Sequence, residues 1–211
     1  MKIQWHKIQD RLKKELDANR YEHTKGVMYT TSCIAMAYGI DMEKARIAGL
    51  LHDCAKCISN QKTINLCKKA KLPISEFEKK YPSLLHAKLG AYLAEKKYAV
   101  HDKEVLNSIF WHTTGKEAMS DLEKIIYIAD YIEPNRNKAP HLQQIRKLAF
   151  EDLDRCMYEI LKDTVSYLCK HSKLIDKTTL KAYNYYKTYT RKNKSKKDNR
   201  CIEGLKNKES S

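Results

Sequence analysis

The chain has 211 residues and a formal net charge of +15, from 41 Lys/Arg against 26 Asp/Glu. That length fits one domain, or one domain with a tail, and can bury a sizeable core. No apolar stretch approaches a membrane span, the start MKIQWHKIQDRLKKEL lacks a signal-peptide core, and seven cysteines without framework spacing suit a reducing compartment, so a cytoplasmic protein that makes no membrane contact is expected.

Six Gly and four Pro punctuate the chain, and helical periodicity runs through almost every segment, so the expected fold is all-α. Ile8, Leu12 and Leu16 form the first apolar stripe. A second helix is predicted over about 22–38, stopped by Gly39, and a third from an Asp41 N-cap to about His52. Ser75 and Glu78 have capping-box spacing for a short helix. Further helices are predicted at about 84–97, 102–113, 121–132, 141–149 and 151–170. No apolar–polar alternation is sustained, so no sheet is expected.

From Thr188 the composition turns polar and charged. Between Lys187 and the end, nine Lys/Arg face three acids, so that stretch carries +6 and the rest +9. Residues 188–211 are therefore expected to be a basic, disordered tail behind a domain of residues 1–187. Such a tail is either a solvated end or an electrostatic arm for RNA or another polyanion. The CxxC spacing of Cys54 and Cys57 has no second pair and reads as chance.

His23, His52, Asp53, His86, His112 and Asp130 stand out together. His52 continues a stripe of small residues, Ala45, Ala48 and Gly49, that lets a neighbouring helix approach closely. His23 lines up with Val27, Thr30 and Ile34, His86 with Leu89, Gly90 and Leu93, and His112 follows Val105 and Ile109. Asp130 follows Leu122, Ile125 and Ile126 and is expected to point inward, with no positive partner on its own face. A lone inward histidine is more often a hydrogen-bonded core residue than a ligand. Four of them beside an inward carboxylate point instead to a shared Fe, Mn, Co or Zn ion. His6, His101, His141 and His171 sit in charged surroundings and receive no role.

The order of these residues resembles the HD superfamily of metal phosphohydrolases. The finer pattern resembles its YqeK-type branch, the symmetrical bis(5'-nucleosyl)-tetraphosphatases. The resemblance rests on RYEHTKGV (20–27), GLLHDCAK (49–56), LLHAKLGA (84–91), WHTTG (111–115) and ADYIEPNR (129–136), with KAYNYY (181–186) a weaker match. It implies a helical HD-domain bundle with a metal site between helices. It also implies cleavage of diadenosine tetraphosphate and related dinucleoside polyphosphates into two nucleoside diphosphates, ADP in the first case.

By motif position, His23, His52, Asp53 and Asp130 would hold iron, or Mn or Co in its place. His86 and His112 would complete a second metal site or bind phosphate. Lys56, Thr113, Arg136 and Asn184 would contact the nucleotide, although Tyr183 stands where a basic residue is expected in the late motif. Such a metal would acidify water and clamp a phosphate oxygen, leaving mainly positioning to the protein. Lys56 would supply a point charge and Arg136 a planar fork for phosphate oxygens. Another HD nucleotide phosphohydrolase or phosphodiesterase is the alternative within the class. A basic RNA-binding protein with a vestigial HD site is the alternative outside it. Self-association into a homodimer stays open.

Overall fold

The computed structural model describes residues 5–171 and 174–188. They fold as α1 (Trp5–Glu15), α2 (Ala18–Tyr38), α3 (Met42–Leu51), α4 (Asn60–Lys69), α5 (Glu76–Lys80), a 3-10 turn (Pro82–Leu84), α6 (Leu85–Tyr98), α7 (Lys103–Trp111), α8 (Asp121–Ile132), α9 (Leu142–Leu148) and α10 (Leu153–Lys170). A last helix, α11, spans 177–188, and no strand occurs among the described residues. No helix there is long and apolar enough to cross a membrane. The proposed tail, apart from Thr188, lies outside the described residues.

Polar caps set the helix starts. Asp17, Asp41, Asp102 and Asp152 each accept a backbone N–H of the first turn, and Ser75 with Glu78 and Ser120 with Glu123 form capping boxes. Gly39 ends α2 in the left-handed region, at φ 67°, and its N–H returns to the carbonyls of Ala35 and Met36. The Asp17 cap starts α2 four residues before the apolar stripe suggests. Helix α4 escapes the periodicity; it fully buries only Thr63 and Cys67.

Helix α8 occupies the middle and packs on α2, α3, α7 and α10; α2 and α3 form the closest pair. Every residue from Leu122 to Ala129 is buried. At about 1.5–3 kcal/mol per fully buried large aliphatic side chain, Leu122, Ile125, Ile126 and Ile128 make α8 a main contributor to stability. The small stripe on α3 lets α2 approach, as expected. A Cβ added at Gly49 would stand 2.6 Å from Thr31 Oγ1 and 3.0 Å from Met28 Cα. A smaller cluster of Ala55, Cys67, Leu85 and Leu89 holds α4 against α6.

Candidate metal centre

Helix ends deliver the candidate residues. His52 caps the C-terminus of α3 with Asp53 next to it, His112 caps that of α7, and His86 opens α6. The last carbonyls of a helix have no backbone donor. Here the rings supply one: His52 Nδ1 donates to Gly49 O at 2.7 Å and His112 Nδ1 to Ile109 O at 2.7 Å. His86 Nδ1 donates to Ser83 O, and His23 Nδ1 to Glu133 Oε1 at 3.1 Å. With all four Nδ1 atoms engaged as donors, each Nε2 presents a lone pair.

Those lone pairs converge on two carboxylates. Asp53 Oδ1 lies 3.1 Å from His86 Nε2 and 3.6 Å from His112 Nε2. Asp53 Oδ2 lies 3.5 Å from His52 Nε2 and 3.8 Å from His23 Nε2. Asp130 Oδ1 stands 3.0 Å from His23 Nε2 and 3.9 Å from His52 Nε2, and the Nε2 atoms of His86 and His112 are 3.1 Å apart. Acceptors crowded together in this way repel one another unless a cation lies between them. Metal–ligand bonds of about 2.1 Å place neighbouring ligand atoms about 3.0–3.4 Å apart, and the spacings here, 3.0–3.9 Å, come close to that. His23, His52 and Asp130 could share one ion, and so could His52, Asp53 and His112. The buried atoms His23 Nε2, His52 Nε2 and Asp53 Oδ1 have no hydrogen-bond partner. A native interior rarely leaves such groups unsatisfied, so the residues fit a metal.

Burial and the charged neighbours compete: at His23 burial opposes protonation, but Asp130 and Glu133 outweigh it and raise the ring above its ordinary value. Burial pushes the fully buried His52 down to about 4, so that ring is neutral at pH 7. Burial also lowers His86, helped by the nearby His112 and Lys56, although Asp53 works against it. Burial opposes ionisation of Asp53, but His52, His112 and His86 outweigh it and hold the carboxyl well below its usual range. Asp130 is likewise held low despite burial, with His23 its nearest support. Both carboxylates are therefore ionised, as ligands must be.

A cavity of about 560 Å³ opens over the cluster, lined by His86, His112 and Asp130 together with Lys56, Thr113 and Arg136. Lys56 Nζ reaches to 3.3 Å from His86 Nε2. Asp130 points into the cluster with its side chain 25 % exposed, and Arg136 Nη2 donates to its Oδ1 at 2.8 Å. That partner comes from the loop after α8 and not from the helix face. Asn184 is exposed and lines neither cavity, because the inward positions of α11 are Thr179, Ala182 and Tyr186.

Three residues that received no role from the sequence support the centre. Arg20 Nη1 donates to Asp53 Oδ2 at 2.7 Å. Glu133, 1 % exposed, orients His23 and also accepts the N–H of Asn135. Its carboxylate packs so closely on α2 that a Cβ at Gly26 would lie 2.5 Å from Oε2. Arg146 donates to the carbonyls of Ile132, Glu133 and Arg136, fixing the loop that carries Arg136. Arg20 and Glu133 lie inside quoted motifs, which was the available signal. Arg146 left none. Cys54 turns its thiol to Gly90 O at 3.5 Å, and burial pushes it up to about 12.

A family model for the HD domain matches residues 20–135. Two similar proteins are described as "Bis(5'-nucleosyl)-tetraphosphatase, symmetrical". That of Bacillus subtilis is 38% identical, the match covering 82% of this chain and 92% of the relative. That of Halalkalibacterium halodurans is 39% identical, covering 82% and 91%. A crystal structure from Clostridium acetobutylicum, described as a predicted HD superfamily hydrolase involved in NAD metabolism, is 40% identical. It superposes with a TM-score of 0.85 over 88% of this chain and 97% of that one.

Proposed function

This chain belongs to the HD domain family, and we propose that it is a metal-dependent symmetrical bis(5'-nucleosyl)-tetraphosphatase that converts diadenosine tetraphosphate into two ADP. The observation that carries this is the convergence of four Nε2 atoms and two ionised carboxylates at a cavity edged by Lys56 and Arg136. The donor set is imidazole and carboxylate without thiolate, which suits iron, with Mn or Co as replacements. His23, His52, Asp53 and Asp130 would hold the ion, with His86 and His112 available to a second ion or to phosphate.

A metal bound there supplies Lewis acidity to a phosphate oxygen and lowers the pKa of water to about 7. The side chains do the positioning. Arg20 and Arg136 offset the carboxylates and keep them in place. Lys56 reaches into the cavity beside His86 and meets a phosphate as a point charge. Arg136 has Nε and Nη2 on Asp130, which leaves Nη1 to meet a second phosphate oxygen. One nucleoside diphosphate held in this way puts its outer, β phosphorus over the centre. Attack by water there breaks the central bridge, and the other half leaves as a second diphosphate.

The test is incubation of purified protein with diadenosine tetraphosphate and Fe, Mn or Co, followed by nucleotide chromatography. ADP without AMP or ATP supports the reading. No turnover with any of the three metals would refute it. A cytoplasmic location fits this substrate, and a contact with RNA or another polyanion through the basic C-terminal stretch belongs to the same proposal.

A further inference from the structure

The metal cavity, at about 560 Å³, is of a size for one half of a dinucleotide, and the substrate has two similar halves. A second groove of about 650 Å³ lies directly beside it. Leu84 and Thr113 line both spaces, so they form the ridge between them. The ridge comes from the entry of α6 and the exit of α7, the same two segments that deliver His86 and His112. Moving from the metal cavity across the ridge therefore means moving from one end of a bound polyphosphate toward the other.

The two spaces differ in chemistry. The metal cavity presents Lys56, Arg136 and Lys138 and suits phosphates. The groove presents Phe77, Phe110 and Trp111, with Glu76, Glu78 and Asp176 against Lys88 and Lys177. Lys88 is already engaged by Glu78 at 2.7 Å. Such a surface is a poor seat for phosphate. It suits a neutral nucleoside: aromatic rings stack on a base, and carboxylates accept from ribose hydroxyls. Phe110 and Trp111 meet edge to face at 4.7 Å between centroids, and Phe77 leans on Tyr81 at 4.8 Å, so the rings are held in place before a base arrives.

We propose that this groove seats the nucleoside of the departing half of the substrate, its base against Phe77, Phe110 and Trp111 and its phosphates reaching over Leu84 and Thr113 to the metal cavity. The inference rests on the tetraphosphatase reading above and adds where the second nucleoside lies. It makes the enzyme prefer a dinucleotide over a tetraphosphate with one nucleoside, although both contain the same central bridge.

The test compares diadenosine tetraphosphate with adenosine 5'-tetraphosphate, which lacks the second nucleoside and would yield ADP and pyrophosphate. Stacking of one base is worth roughly a tenfold effect, so wild-type kcat/KM should favour the dinucleotide by roughly that factor. Phe77→Ala, on a helix that carries no proposed ligand, should bring the ratio close to one by slowing the dinucleotide alone, with metal content unchanged. Equal kcat/KM for both substrates in the wild type would overturn the second seat while leaving the tetraphosphatase reading intact. Equal losses on both substrates in Phe77→Ala would also overturn it. If the metal-loaded wild type cleaves neither compound, the tetraphosphatase reading fails and takes the inference with it.

Discussion

Asp53 touches more of the centre than any other residue, with Arg20 on one oxygen and the rings of His86 and His112 near the other. Asp53→Ala should therefore abolish both bound metal and turnover. Lys56→Ala should keep the metal and bind the nucleotide poorly, seen as unchanged metal content with a raised KM, while Arg136→Ala, which also frees Asp130, should lose part of the metal as well as nucleotide affinity. Equal metal loss in all three variants would refute this division of labour. Glu133 acts one step further out. Glu133→Ala frees the His23 ring and should weaken metal affinity roughly 10–100-fold, with Glu133→Gln recovering part because its amide oxygen still accepts from Nδ1. Titration with Mn or Co while following metal binding measures this, and unchanged affinity in the alanine variant would contradict it.

The candidate ligands His23, His52 and Asp130 were legible in the sequence because each continues the apolar register of its helix, and Asp53 because it directly follows His52. Glu133 was not, since a buried acid after a helix end looks like any capping residue until its partner on α2 is known. Asn184 was legible only as a letter of the weaker motif, and it lies on the exposed side of α11.

The close pair α2 and α3 fixes the distance between His23 and His52, whose ring centroids are 5.4 Å apart. Gly49→Ala sets a methyl against the Met28 backbone, which cannot swing aside as a side chain can. It should cost about 1–3 kcal/mol, read from denaturant unfolding. Helix α1 is tied to the end of α6 through Glu15, which accepts from Lys97 and, at 2.9 Å, from Tyr98 Oη. Burial opposes ionisation of Glu15, but Lys97 and Tyr98 prevail, so its folded pKa lies below the ordinary 4.5. Its contribution is then complete above 4.5 and lost as pH falls through the folded value. With the carboxylate about 29% exposed, roughly 1 kcal/mol or less is at stake. Glu15→Gln should melt below wild type at pH 7 and together with it once the pH has fallen below the folded value. A gap that persists in acid would assign the loss to packing. Most helices could be read from caps and stripes. Helix α4 went unread: it fully buries only Thr63 and Cys67, with Ile64 and Leu66 half-buried beside them.

On the scale of the whole chain, charge and catalysis separate. The proposed ligands and the phosphate contacts Lys56 and Arg136 lie between His23 and Arg136, while the densest positive charge follows Lys187. Removing residues from Arg191 onward should leave hydrolysis of small nucleotides nearly intact and reduce any salt-sensitive RNA affinity. A large fall in turnover would show that the C-terminal stretch serves the site.

The central claim is that one diphosphate half is held at the centre while water attacks its β phosphorus. Running the reaction on diadenosine tetraphosphate in oxygen-18 water reads this directly. ADP should be the sole product, with label on the terminal phosphate of one of the two ADP molecules formed per turnover. Recovery of AMP and ATP would place the attack at an outer bridge and contradict the account.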